Sequence, residues 1–303
     1  MRVALIVNPI SGLGTTAATA SAARIELAYR LAADSGVSVD VAATTRAGHG
    51  AEMAAEYVSR GYGRVIAWGG DGTINEVAGP LIGTGVTLGI VPAGSGDGLA
   101  RGLGISLDPA KAFRVALSPG RPFDIGWLGD RHFLNIGGVG FDAAVAAAFG
   151  QRSRRGKGGY VVDGLRSIWS YESRHYCVEC GDRRVDGPCF VVAFANCRQY
   201  GSGIVLAPEA DPADGQLDMI MVSGGPAWQQ LWRARRLGFR RMAPAGGVYR
   251  ARVTSATVTG EHLEAHVDGQ PFEARGTLAV RIQGGAIRVA GGDRGRLALR
   301  VET

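Results

Sequence analysis

Short apolar runs that break into glycine-rich turns and then into helical patterns organise the first part of this chain. Val3-Ala4-Leu5-Ile6-Val7 leads into Asn8-Pro9-Ile10-Ser11-Gly12-Leu13-Gly14 and an Ala-rich helix ending near Gly36. Arg64-Val65-Ile66-Ala67-Trp68 breaks into Gly69-Gly70-Asp71-Gly72-Thr73, and a helix pattern follows at once, with Thr73 and Glu76 spaced as a capping box. Val86 to Val91 runs into Pro92-Ala93-Gly94-Ser95-Gly96-Asp97-Gly98 and on to Leu99-Ala100-Arg101. Each unit reads as buried strand, turn and helix. The set predicts an open, mostly parallel α/β sheet whose turns gather at the carboxyl ends of the strands, where ligands bind.

From Arg131 onward the pattern changes to short β segments between Gly- and Asp-rich turns: 132–136, 176–180, 189–195, 217–222, 251–259, 278–282 and 287–290. This predicts an antiparallel β domain. The boundary falls near Gly126 to Asp130, giving an α/β domain over residues 1–128 and a β-rich domain over 129–290. One further stretch, Pro226 to Pro244, has roughly helical apolar spacing. It carries Arg233, Arg235, Arg236, Arg240 and Arg241 with no acid, beside Trp228, Leu231, Trp232, Leu237 and Phe239. Such a basic amphipathic helix suits either an anionic bilayer surface or packing against the β domain.

Composition narrows the partners. The 303 residues carry a net charge of +6, almost wholly from arginine. A second basic stretch, Arg152 to Lys157, lies in Gly-rich surroundings and reads as a mobile loop beside the ligand cleft. No nucleic-acid module occurs and aromatics do not interleave with the basic runs, so nucleic acid is not expected as a partner. Met1 to Leu5 is no signal peptide, because Asn8-Pro9 ends the apolar run. With no run of about 18 apolar residues either, the expectation is a cytoplasmic protein that reaches membranes peripherally. Cys177 and Cys180 have metal-ligand spacing, but their odd separation on a strand sends them to opposite faces, so reduced cysteines are expected. The five histidines show no triad or metal spacing. A homodimer is left open.

The candidate chemistry lies in the turns. Gly69, Gly70 and Gly72 leave backbone N–H groups and a helix N-terminus free to face a phosphate. Asp71 sits among them, where either a metal contact or a proton acceptor is wanted. Neither a Gly-x-Gly-x-x-Gly opening a helix nor a Gly-Lys-Ser/Thr is present, and the two lysines, Lys111 and Lys157, lie on no such turn.

These residues resemble a known family. Asn8-Pro9-x-Ser11-Gly12, Gly69-Gly70-Asp71-Gly72-Thr73-x-Asn75-Glu76 and Pro92-x-Gly94-Ser95-Gly96 look like the signature loops of the diacylglycerol kinase catalytic domain, which is shared by bacterial lipid, sphingosine and ceramide kinases and is distantly related to NAD kinases. The likeness continues through Asn135-x-x-x-x-Gly140-Phe141-Asp142-Ala143, Tyr200-Gly201-Ser202-Gly203, Ala207-Pro208-x-Ala210, Asp214-Gly215-x-Leu217-Asp218 and Val267-Asp268-Gly269. It implies a two-domain kinase of NAD kinase/diacylglycerol kinase-like fold, with ATP and Mg2+ in the cleft and a lipid hydroxyl as acceptor. The three loops and Thr44 would line the ATP site. Asp97 and Asp142 would serve the acceptor side. Asp214, with main-chain carbonyls near Asp211 and Gln216, would form a structural Mg2+ site, although that stretch also reads as an Asx-rich turn. In the family the C-terminal segment returns to the first domain, which here would be residues 291–303.

Two departures stand out. The third loop reads Asp97-Gly98 where most members have Asn-Asp. The family's late Asp-Gly-Glu reads Asp268-Gly269-Gln270, and a neutral Gln cannot accept the acceptor's proton as that Glu does. Asp71 becomes the leading candidate for base, with Asp268 in reserve. A non-catalytic relative and a kinase of a soluble substrate remain the alternatives.

Overall fold

The computed structural model describes residues 2–12, 17–144, 171–201, 204–226 and 247–291. The first half alternates as expected: β1 (Val3–Val7), α1 (Ala17–Asp34), β2 (Val39–Ala43), α2 (His49–Ser59), β3 (Arg64–Gly69), α3 (Asp71–Ala78), β4 (Thr87–Pro92), α4 (Gly98–Gly102) and α5 (Pro109–Ala116). Strands β2, β1, β3 and β4 lie side by side and parallel. β1, β3 and β4 are buried at every position, which is why they read as unbroken apolar runs rather than alternations. β2 is the half-exposed edge and carries a charge, Asp40, held by the Tyr62 hydroxyl. Because the chain moves from β1 to β2 on one side and then crosses to β3 on the other, the sheet has its switch point between β1 and β3. The crevice outside those two carboxyl ends is where such sheets take ligands.

The second half comprises β5 (Gly120–Leu128), β6 (Arg131–Phe133), β7 (Ile136–Gly140), β8 (Arg174–Cys180), β9 (Arg183–Ala195), β10 (Gln199–Gly201), β11 (Ile204–Val205), β12 (Leu217–Ser223), β13 (Val248–Val253), β14 (Ser255–Val267) and β15 (Gln270–Ala290). All but β10 and β11 join the first four strands in one sheet, ordered β13-β12-β9-β7-β14-β15-β4-β3-β1-β2. β5 pairs with β15 and β6, and β8 with β14 and β9. The long β15 makes the connection. Its first part pairs with β14, its later part with β5, and Arg288 and Val289 lie parallel to Thr87 and Leu88 of β4. Phe123, Ile125, Ile287 and Val289 therefore belong to the core of the α/β domain, while Leu128, Leu278 and Val280 belong to the core of the β domain.

Several elements differ from their sequence pattern. Thr73 and Glu76 form no capping box: α3 begins at Asp71, its N-cap is Gly70 with no side-chain cap, and both residues reach other loops. The run 132–136 is split between β6 and β7, because the Leu134, Asn135 and Ile136 amides turn onto one carboxylate, Asp268. The run 251–259 is broken at Thr254, whose carbonyl accepts the Ile282 amide. Conversely 278–282 and 287–290 are one strand, interrupted by a bulge where the Gly285 amide donates to buried Asp124. All four cysteines are free. Among the described residues no helix is long and apolar enough to cross a membrane. The stretches 152–157, 227–244 and 294–303 singled out in the sequence lie outside the described residues.

Candidate active site

The three glycine-rich loops meet at the carboxyl ends of β1, β3 and β4, and their contact is backbone on backbone. A Cβ at Gly12 would lie 2.2 Å from the Ala93 carbonyl oxygen, and Gly12 also has φ of +72°. One at Gly94 would lie 2.8 Å from Gly70 Cα. Loops one, two and three are therefore in van der Waals contact, and only glycine fits at those crossings. Side chains stitch the same loops together. Asn8 Nδ2 donates to Thr73 Oγ1 at 2.9 Å, and the Gly70 amide points at Ser11 Oγ at 3.4 Å. Pro9 lies in the turn between them, and half-buried Thr44 follows β2 with its amide on the Val7 carbonyl. Ser95 is exposed at the tip of loop three, next to Gly96.

Sequence reasoning missed the residue that fixes loop one. Arg24 of α1 donates to the Asn8 carbonyl at 2.8 Å and the Ser11 carbonyl at 2.9 Å. Burial pushes its guanidinium below the usual arginine range, partly offset by Asp97. Nothing in a lone arginine 13 residues downstream of Ser11 signals such a contact.

Asp71 sits at the junction of loops two and three. Its Oδ1 accepts the Leu99 amide and its Oδ2 the Gly98 amide, both at 3.1 Å. Loss of hydration pushes its carboxyl up to about 6; the two amides pull the other way, and the Asp268 and Asp97 charges add to the rise. The Asp97-Gly98 departure has a physical reason here. A Cβ at Gly98 would lie 2.8 Å from both Asn135 Nδ2 and the Tyr200 carbonyl, so no side chain fits. Asp97, buried and left-handed at φ 48°, instead folds back to accept the Gly94 amide at 2.7 Å.

The remaining residues of loop two serve the protein's own architecture. Glu76 Oε1 accepts the Gly48 amide at the start of α2. Buried Asn75 donates to the His132 carbonyl at 3.1 Å and to Asp268 Oδ2 at 2.8 Å, tying α3 to the β domain. Asp268 also accepts the Leu134, Asn135 and Ile136 amides at 2.8, 2.9 and 3.1 Å. With Asn75 these fill its four acceptor positions, so Asp268 holds the domains together. Gln270 Nε2 points at the Gly72 carbonyl at 3.3 Å.

Asp142 is buried, and its oxygens accept the Ala143 amide at 2.8 Å and His266 Nε2 at 2.9 Å. His266, 1% exposed, takes the Gly269 amide on Nδ1, which leaves Nε2 as the nitrogen that donates to Asp142. This pair went unread in the sequence because its members are 124 residues apart.

The proposed Mg2+ residues lie elsewhere. Asp211 Oδ1 accepts the Ala213 amide, Asp214 Oδ1 accepts the Gln216 amide, and Asp214 Oδ2 lies 3.5 Å from Arg252. The turn is braced by Asp124, whose Oδ2 accepts the Gly215 amide at 2.7 Å. These are Asx turns, and a cation there would compete with the Arg252 guanidinium for the same oxygen. Among the described residues no group of three or more His, Cys, Asp or Glu is arranged to hold a metal ion; a site of one carboxylate, Asp214, with main-chain carbonyls is not a group of that kind.

Comparison with known proteins agrees with this architecture. The diacylglycerol kinase catalytic domain matches residues 2–128, and the YegS C-terminal NAD kinase β-sandwich-like domain matches residues 136–291. A protein of Pseudomonas putida named "probable lipid kinase YegS-like" is 31% identical over 80% of this chain and 81% of its own length. Its namesake in Pseudomonas aeruginosa strain PAO1 is 32% identical over 84% and 85%. A third in Chromohalobacter salexigens is 37% identical over 62% of this chain and 63% of that protein. The crystal structure of a diacylglycerol kinase from Bacillus anthracis shares the fold, with a TM-score of 0.74 at 19% identity over 96% of this chain and 97% of that one. By domain content and by kinship along most of its length, the chain belongs to the YegS-like lipid kinases of the diacylglycerol kinase family.

Proposed function

We propose that the chain transfers the γ-phosphate of ATP to a hydroxyl of a diacylglycerol, sphingoid or ceramide-type lipid, in the cleft between its two domains. The observation that carries this reading is Asp71: a carboxylate with a raised pKa, at the point where three bare-backbone loops converge. The Asn8–Gly12, Gly69–Thr73 and Gly94–Gly96 loops offer backbone N–H groups to the phosphates, as turns at strand ends do. Magnesium would arrive with ATP as part of the substrate; Asp71 and Asp97 are the carboxylates of these loops that would hold it, and its charge would offset that of the phosphates. Asp71 then takes the proton of the acceptor hydroxyl as the phosphoryl group transfers. The transition state of that transfer is loose, so alignment and charge neutralisation supply most of the rate, and one well-placed carboxylate suffices.

Radiolabelled ATP, magnesium and a lipid panel in mixed micelles test the reading, with products separated by chromatography. A phosphorylated lipid supports it. Phosphorylation of soluble acceptors alone would favour an NAD kinase-like activity, and no transfer to anything would favour a binding protein. Gly70→Val gives a second check. Its Cβ alone would already lie 3.1 Å from Gly94 Cα. ATP affinity by titration calorimetry is expected to fall at least tenfold, measured at a temperature where thermal unfolding shows the variant to be folded. Undiminished affinity in the folded variant would move the nucleotide elsewhere.

The acceptor's location in membranes gives the arginines of 226–244 a role at an anionic surface. Neutralising Arg233, Arg235 and Arg236 together is expected to reduce sedimentation with anionic vesicles, the difference shrinking as salt rises. Equal binding at low salt would remove that stretch from the proposal.

A further inference from the structure

Val267 and Gln270 pair across a two-residue turn, Asp268-Gly269, in which both residues have positive φ, +48° and +80°. This is the Asn/Asp-Gly geometry of a tight hairpin. The turn is fixed from several directions. Asp268 anchors it to the amides of 134–136 and to Asn75; the Gly269 amide is taken by His266, itself held by Asp142. The Gln270 side chain leaves this rigid support at a set place, with Nε2 3.3 Å from the Gly72 carbonyl oxygen and 3.1 Å from where a Gly72 Cβ would be. Gly72 directly follows Asp71 in the first turn of α3.

A carbonyl only accepts, so the group facing it must donate. An amide has a donor; an ionised carboxylate has none. A carboxylate at position 270 would also add a charge beside Asp71, whose carboxyl is already raised by burial and, to a smaller extent, by Asp268 and Asp97. We propose that Gln270 is a positioning residue: a neutral amide latch that holds the β14–β15 turn against loop two and leaves Asp71 the only working base. This rests on the lipid kinase reading for its kinetic test, but not for its binding test.

Gln270→Glu separates the latch from a vacant base position. The titratable groups around position 270 are Asp71 on α3, Asp97 in loop three, Asp268 in the turn, His132 on β6 against the Asn75 carbonyl, and the His266–Asp142 pair behind. Activity is therefore read as the ratio of variant to wild type at each pH, which cancels titrations the two proteins share. At pH 8 the ionised Glu is expected to lower kcat/KM at least tenfold. Toward pH 5.5 the ratio should recover, because a protonated carboxyl has the O–H that the Gly72 carbonyl needs. Gln270→Met, of similar length and with no donor, should lose activity at every pH without that recovery. A Gln270→Glu enzyme as fast as wild type at pH 8, or faster, overturns the proposal. Mg-ATP affinity by calorimetry is the second readout, and it needs no lipid turnover. It should weaken severalfold in Gln270→Glu at pH 8 and less at pH 5.5. If wild type phosphorylates no lipid and this affinity pattern still appears, the functional reading fails and the latch stands; unchanged affinity at both pH values overturns the latch.

Discussion

Asp71→Asn is expected to lower lipid phosphorylation by about 10² to 10⁴, the range seen when a general base or a metal-positioning group is removed. The fold should survive, since Asn is isosteric and one of its two polar atoms still accepts an amide; the other meets an N–H with an N–H, at a cost of about 1–2 kcal/mol. Two pH signatures accompany the loss. Wild-type kcat/KM should rise through an apparent pKa of about 6 as Asp71 ionises, and the variant should lack that limb. The second concerns stability. The folded value lies above the ordinary 3.8, so between roughly pH 4 and 6 the folded protein holds a proton that the unfolded chain releases. The contribution of Asp71 is thus most favourable below pH 4 and is lost as pH rises through 6. The Asn variant carries no such loss, so its stability relative to wild type should improve from pH 5 to pH 8 by on the order of 1–3 kcal/mol. Turnover near the wild-type level would assign the proton elsewhere.

Asp268→Ala is expected to be the most destabilising single change in the site. It strips the acceptor from three backbone amides and from the Asn75 side chain, and it leaves an alanine at φ 48°. An unpaired buried donor costs about 1–3 kcal/mol and left-handed backbone about 1–2 for an ordinary residue. Even with water replacing some partners the sum is about 4 kcal/mol or more, a large share of the stability of a typical domain. Asp268→Asn tolerates the left-handed conformation and keeps one acceptor oxygen, so it should lose about half as much. Urea unfolding of the three proteins measures the series. A loss below about 1 kcal/mol for Asp268→Ala would mean the turn is held by its other contacts.

The parallel sheet was legible because each of β1, β3 and β4 is buried on both faces, which leaves an unbroken apolar run, and because the turns that follow need glycine for backbone-to-backbone contact. The β domain was legible in kind, from its alternation and Asp-Gly turns, but its strand ends were not. Leu134-Asn135 and Thr254 look like strand residues, and hydrogen bonds to distant partners interrupt the ladder there. The site divides in the same way. Loop residues that work through their backbone were visible as glycines. Residues that act on other loops were not: Glu76 caps a helix 28 residues away, Arg24 holds two carbonyls of loop one, and His266 meets Asp142 across 124 residues. Composition and spacing report local geometry; such pairs exist only once the sheet has closed.

That closure also sets a timetable. The apolar side chains of Phe123 and Ile125 lie in the first core together with Ile287 and Val289, and the edge of β4 is covered by Arg288 and Val289. A nascent chain emerges at about 5–20 residues per second, so β4 and β5 leave the ribosome on the order of 10 s before the strand that completes them. During that interval the α/β half carries an open edge and an unfinished apolar surface, the kind of strand other chains can pair with. The sheet that carries the three loops is thus completed only after nearly the whole described chain has been made, and a fragment stopping at residue 128 is expected to be captured by chaperones or to aggregate.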